Sequence, residues 1–176
     1  MQLLKAQLPV IKYDSGKITI NGITVSKSTD KSTLEELLGS KAWSGNLAHI
    51  GDPINGDRSK QPIRYTYIFK DLGISLGWYN RPPQNLECEF VIQKSKVDPK
   101  RRNDKVIAFP GKVFIGSLLF DKNLHLKYFE TESNFKIIAI DMGPPESPFT
   151  LIRYQDTLLK CYFDADGYLL RFGTYL

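Results

Sequence analysis

Residues 17–25 read KITINGITV, and this nonapeptide constrains the fold more than any other segment. Ile18 and Ile20 alternate with polar residues, Asn21-Gly22 follows, and Ile23 and Val25 resume the alternation. A period of two puts successive side chains on opposite faces of a strand, and Asn-Gly readily adopts the positive φ of a tight hairpin turn. The same grammar of short alternating runs punctuated by turn residues recurs along the chain. It predicts strands at 64–69, 74–79, 86–94, 112–120, 123–129, 135–141, 149–154, 157–163 and 168–175. Lys70-Asp71-Leu72-Gly73, Asp121-Lys122-Asn123 and Asp164-Ala165-Asp166-Gly167 supply turn chemistry, while Pro82-Pro83 and Pro144-Pro145 interrupt the ladders.

Helical signals are few. Ser32-Thr33-Leu34-Glu35 matches a capping box, Leu34, Leu37 and Leu38 share one helical face, and Gly39 offers a stop. One short helix over 33–38 is expected. Residues 44–63, rich in Gly, Pro, Asn and Asp, read as a loop. The fold class is therefore α+β, mainly antiparallel sheet with one short helix. The chain divides into an N-terminal β-rich half (1–94), a basic linker (95–110) and a C-terminal antiparallel half (111–176). Gly16-Lys17-Ile18-Thr19-Ile20 echoes Gly111-Lys112-Val113-Phe114-Ile115, and 69–76 echoes 163–170, at offsets of 95 and 94. Either the halves are a duplication or the hairpins share only a common grammar.

A chain of 176 residues with 41% hydrophobic and 24% charged residues can bury a core. Two Cys and two His are too few for most His/Cys metal sites, so no metal and no other cofactor are expected. Cys88 and Cys161 lie in apolar alternations as buried small hydrophobes, and their pairing is open. His125, between Leu124 and Leu126, falls on the polar face of its strand. His49, beside Asp52 in a loop, lacks a nucleophile or a second His to complete a catalytic set. Nucleophile-elbow and phosphate-loop motifs are absent, and Asp164–Gly167 lacks the carboxylate a calcium loop needs at 175. A non-catalytic protein is expected. No apolar run reaches the length of a membrane span and the first residues have no signal-peptide core, so the expected location is the cytoplasm, or the periplasm if a leader precedes the chain.

The net charge is +5, unevenly spread. Residues 94–105 carry +4, through Lys100, Arg101 and Arg102 among others, whereas 130–166 carry −4 and include Asp141, Glu146, Asp164 and Asp166. Tyr65 and Tyr67 share a strand face, and Trp78-Tyr79 end the next strand, followed by Arg81. Tyr, Trp and Arg are the residues that anchor protein interfaces, while a basic loop with aromatics also suits single-stranded nucleic acid. The candidate partner-binding residues are Trp78, Tyr79, Arg81, Lys100, Arg101, Arg102, Asp141, Glu146, Asp164 and Asp166.

The succession of the 17–25 hairpin, Leu34-Glu35-Glu36-Leu37-Leu38-Gly39 and Tyr67-Ile68-Phe69-Lys70-Asp71-Leu72-Gly73-Ile74 resembles a set of small β-rich bacterial proteins counted among the immunity proteins of polymorphic toxin systems, contact-dependent or type VI-like. The resemblance covers about residues 16–94. It implies a protein that binds one cognate secreted toxin domain at about 1:1 and neutralises it, with no activity of its own. The alternative is a nucleic-acid-binding β domain that uses the 94–105 loop.

Overall fold

The computed structural model describes residues 8–49, 63–79, 87–93, 107–143 and 148–175. The described elements are β1 (Val10–Asp14), β2 (Lys17–Ile20), β3 (Ile23–Val25), α1 (Lys31–Leu38), β4 (Trp43–His49), β5 (Ile63–Phe69), β6 (Ile74–Tyr79) and β7 (Glu87–Val91). After these come β8 (Lys112–Ile115), β9 (Leu118–Leu119), α2 (Tyr128–Thr131), β10 (Phe135–Met142), β11 (Phe149–Tyr154), β12 (Thr157–Phe163) and β13 (Leu169–Tyr175). They form two sheets, a five-stranded one in the order β3-β2-β1-β8-β9 and an eight-stranded one in the order β10-β11-β12-β13-β7-β6-β5-β4. The protein is α+β and mainly antiparallel; β1–β8 is its parallel pair among the described ladders.

The sheets pack face to face. Ile11, Tyr13, Ile18, Val113 and Ile115 of the smaller sheet meet Cys88, Phe90 and Thr174 at the centre of the larger. Phe172 and Phe90 stack at 5.0 Å, and Phe120, Phe129 and Phe135 extend the aromatic core beneath α2. Burying such rings contributes most of the stabilisation of a two-layer β fold. Where the layers meet, Tyr13 and Thr157 share a buried hydrogen bond between their hydroxyls, and the Tyr154 hydroxyl donates to Asp14 at 3.4 Å. Each half of the chain contributes to both sheets: β4–β7 and β10–β13 are four-stranded meanders whose last strands, β7 and β13, pair antiparallel. In each half a hairpin, a helix and a meander follow in that order. The 94-residue offset aligns β5–β6 with β12–β13, one strand out of step with this arrangement.

Several expectations are corrected. The helix begins at Lys31, and its cap is Asp30, whose Oδ1 accepts the Thr33 N–H at 2.8 Å, rather than Ser32. A carboxylate is a stronger acceptor than a hydroxyl, and Ser32 itself donates to Asp30 at 2.6 Å. Glu35, freed from the box, accepts from Lys41 Nζ and the Ala42 N–H at 2.9 Å each. Residues 43–49 are a strand, not part of a loop, because pairing with β5 supplies the order that Gly45 and Asn46 withhold locally. Gly116-Ser117 splits the 112–120 run into the β8–β9 hairpin. The 123–129 strand is instead a turn leading into α2: Asp121 Oδ1 takes the Asn123 N–H at 2.8 Å, and a single bridge, His125–Tyr168, remains of the ladder. β1 joins the strands read from the alternation. Cys88 and Cys161 are buried free thiols.

Candidate functional site

The five-stranded sheet covers one face of the eight-stranded sheet, and register assigns residues to the other. Phe172, Phe90 and Cys88 point to the core, so Arg171, Gly173, Glu87, Glu89 and Val91 project outward. By the same alternation Lys160, Tyr162, Phe149, Leu151 and Arg153 join them from β11 and β12, and Ser75, Gly77, Thr66 and Ile68 from β5 and β6. Charged and polar residues alternate here with apolar ones such as Phe149, Leu151, Val91 and Ile68. The sequence signals that they face away from the core but not which of them are neighbours.

On this face cations and rings interleave. Lys160 Nζ lies 4.0 Å from the Phe149 ring centre and 5.5 Å from that of Tyr162. The Arg171 guanidinium lies 3.8 Å from the same Tyr162 ring centre, and its Nη1 is 3.7 Å from Glu89 Oε1. At the far edge Lys70 Nζ stands 5.0 Å over Trp43, which is 55% exposed. Cation–ring contacts hold long side chains in fixed positions at little desolvation cost, which gives an ordered surface of mixed charge. Between β12 and β7 this surface dips. Glu87, Glu89, Lys160, Tyr162 and Gly173, with Cys88 and Thr174 beneath, line a cavity of about 170 Å³.

A second aromatic group lies on the opposite face, at the β4–β6 end. Tyr65 and Trp78, paired across β5 and β6, stack at 5.8 Å and 17°, and Tyr67 meets Trp78 at 5.2 Å. Trp78 and Tyr67 pack on the core, while Tyr65 is 40% exposed. Of the sequence candidates, Trp78 is thus partly a core residue, and Tyr79 ends β6 opposite Arg64. Arg81, Lys100, Arg101, Arg102 and Glu146 lie outside the described residues. Asp141 is exposed, at φ 53, where β10 bulges against β11. Asp164 and Asp166 share the β12–β13 turn, where Asp164 Oδ1 accepts the N–H groups of Asp166 and Tyr168 at 3.1 and 2.8 Å. The Asp164 carboxylate therefore builds the turn. Asp141 and this turn lie at one end of the large sheet and Trp78 at the other, so these described candidates do not form one patch. Lys160, Tyr162, Arg171 and Glu89 were missed, because alternation places the first three on one side of the β12–β13 hairpin without marking them, and only the β13–β7 pairing adds Glu89.

The titratable groups speak for structure. Burial pushes the Cys88 thiol up to about 12, only partly offset by its hydrogen bond with Thr174, and burial raises Cys161 further. Neither is a nucleophile near neutrality. Burial also raises Tyr13 and Tyr154 at the junction of the sheets. His125 is held on both nitrogens: Nδ1 accepts the Lys127 N–H at 3.0 Å and Nε2 meets the Asp166 carbonyl at 2.8 Å. Among the described residues no three His, Cys, Asp or Glu side chains converge as a metal site, and no helix is long and apolar enough to cross a membrane.

Fold and surface thus define a two-layer β protein with one face of its larger sheet lined by paired charges and rings. A family model described as a domain of unknown function, DUF7738, matches residues 10–135, and the chain belongs to that family. The match takes in the whole five-stranded sheet, both helices and β4–β7. Neither the curated proteins nor the solved structures contain a match to this chain.

Proposed function

We propose that this protein is a non-catalytic binder that captures a secreted bacterial toxin domain, an immunity protein, and that it docks through the outer face of the eight-stranded sheet. The observation that carries the reading is the ladder Phe149–Lys160–Tyr162–Arg171–Glu89, in which rings and charges of both signs lie side by side across four strands. Aromatic residues and Arg anchor protein interfaces, and pre-positioned side chains lose little entropy on binding. Glu87 and Glu89 at the centre of the face disfavour a phosphate backbone, so a protein partner fits it better than nucleic acid. The resemblance of the N-terminal half to immunity proteins gives the class of partner.

The test is co-expression with the toxin-like domain encoded beside the gene. Growth rescue by the wild type, lost in Tyr162→Ala/Arg171→Ala while the variant keeps its circular dichroism and melting temperature, is the expected result. A folded wild type that neither binds nor protects, or that selects a nucleic-acid sequence in about 0.2 M salt, contradicts the proposal.

A further inference from the structure

The β10–β11 end of the outer face carries charge that no described side chain answers. Lys136 and Arg153 stand directly opposite each other across β10 and β11, and both are exposed. Neither side chain makes a hydrogen bond, ion pair or ring contact among the described residues. Asp141 on β10 and Asp156 in the β11–β12 turn pair with neither. Like charges in directly opposed positions repel. Beside them the surface turns apolar. One register shift sets Ile138 and Ala139 together against Leu151, and a second brings Met142 opposite Phe149. Ile138 is 40% exposed and Met142 44%, while Leu151 and Phe149 are half-buried. The two strands thus present an apolar patch with an ammonium and a guanidinium at one end. Exposed apolar surface rimmed by charge marks a contact site. β10 is an edge strand of the described sheet, but its bulges oppose the addition of another strand, so contact falls on the side chains.

We infer that this patch binds a segment of the partner in which a carboxylate is flanked by apolar side chains. The carboxylate meets Lys136 and Arg153, and the apolar side chains lie on Ile138, Leu151 and Met142. The assignment rests on the toxin-binding reading and deepens it, since it names the chemistry of the partner's contact. Charge complementarity selects the occupant. A carboxylate accepts two parallel N–H bonds from a guanidinium and relieves the repulsion between the two cations, whereas a cationic segment adds to it. Single-stranded nucleic acid stacks its bases on rings, and this patch is aliphatic apart from Phe149, over whose ring Lys160 already stands. A second copy docked by two-fold symmetry presents the same patch to itself, which doubles the cations and supplies no anion.

The test titrates the whole protein with capped tripeptides and follows its backbone amides by NMR. The probes are N-acetyl-leucyl-glutamyl-leucine amide and its glutaminyl and lysyl counterparts. Saturable shifts at the Met142, Leu151 and Arg153 amides are expected with the glutamyl peptide, about tenfold weaker binding with the glutaminyl one, which lacks the charge, and none with the lysyl one. Lys136→Glu sets an anion opposite Arg153 within the chain. It should bind the glutamyl peptide about tenfold more weakly while melting at or above the wild-type temperature. Met142→Ser should weaken binding and leave the melting temperature unchanged. If Lys136→Glu does not fold, Arg153→Gln takes its place. Equal binding of the glutamyl and glutaminyl peptides, a stronger response to the lysyl one, no saturable shift, or full binding by folded Lys136→Glu overturns the assignment. So does dimerisation in sedimentation, or binding to phosphatidylglycerol vesicles, that Met142→Ser abolishes, since either shows a different occupant. The co-expression assay separates the two claims. Full protection by folded Lys136→Glu/Met142→Ser removes the patch and leaves the toxin reading standing. Binding of the glutamyl peptide by a wild type that does not protect supports the patch and removes the toxin reading.

Discussion

At the residue scale the turn between β12 and β13 shows how local chemistry and long-range packing combine. Gly167 adopts φ +87, and a Cβ there would lie 2.7 Å from His125 Nε2. Gly167→Ala meets both a backbone penalty and a steric one, and should cost about 1–3 kcal/mol in urea unfolding. His125→Ala removes the obstacle, so the double variant should lose clearly less than the sum of the single losses; strict additivity would show that His125 does not press on the turn. The turn itself was legible, because Asp164-Ala165-Asp166-Gly167 carries its own signal. The role of His125 was not, because the Asp166 carbonyl that holds its Nε2 is 41 residues away. Cys88 and Cys161 were legible as buried small hydrophobes. Since burial raises both thiols, neither should react with a thiol reagent in the native protein at pH 8, and both should react in denaturant. Rapid native labelling of either would contradict this packing.

At the element scale, turns and caps explain which strands and helices the sequence announces. The β2–β3 hairpin is written in Asn21-Gly22, whose φ values are 52 and 84. β4 is not written anywhere in its own residues, since Gly45 and Asn46 favour loops and only the ladder with β5 holds them extended. β10, at one edge of the large sheet, leaves Ile138, Ile140 and Met142 exposed, and two register shifts bend it. Such bulges hinder edge-to-edge pairing. In α1 the Asp30 carboxyl sits below its ordinary value of 3.8, first through the Ser32 hydroxyl and then through the Thr33 N–H. A depressed value in the folded state means stabilisation that is present above the ordinary value and lost as pH falls through the lower, folded one. Asp30→Ala should therefore lower the melting temperature at pH 7 by about 2–4 °C. The gap should hold down to the carboxylate range and close below it, and calorimetry as a function of pH would reveal a gap that behaves otherwise.

At the scale of the whole molecule, strands far apart in sequence become neighbours. β7 joins β13 and β1 joins β8, and the first of these pairings brings Glu89 to Arg171. No local pattern announces these contacts, which is why the fold class could be read from alternation while the outer-face site could not. The basic balance of the chain pointed to 94–105, and the acidic balance to 130–166; the site proposed here draws on both signs at once. If the protein captures a toxin domain as proposed, this outer face is the surface the toxin covers. Hydrogen–deuterium exchange of the protein, alone and mixed 1:1 with the purified toxin domain, tests it most directly. Slowed exchange is expected in peptides of β7, β12 and β13, with β2–β3 unchanged. Protection confined to the five-stranded sheet, or no change anywhere in a mixture that forms a complex, would contradict it.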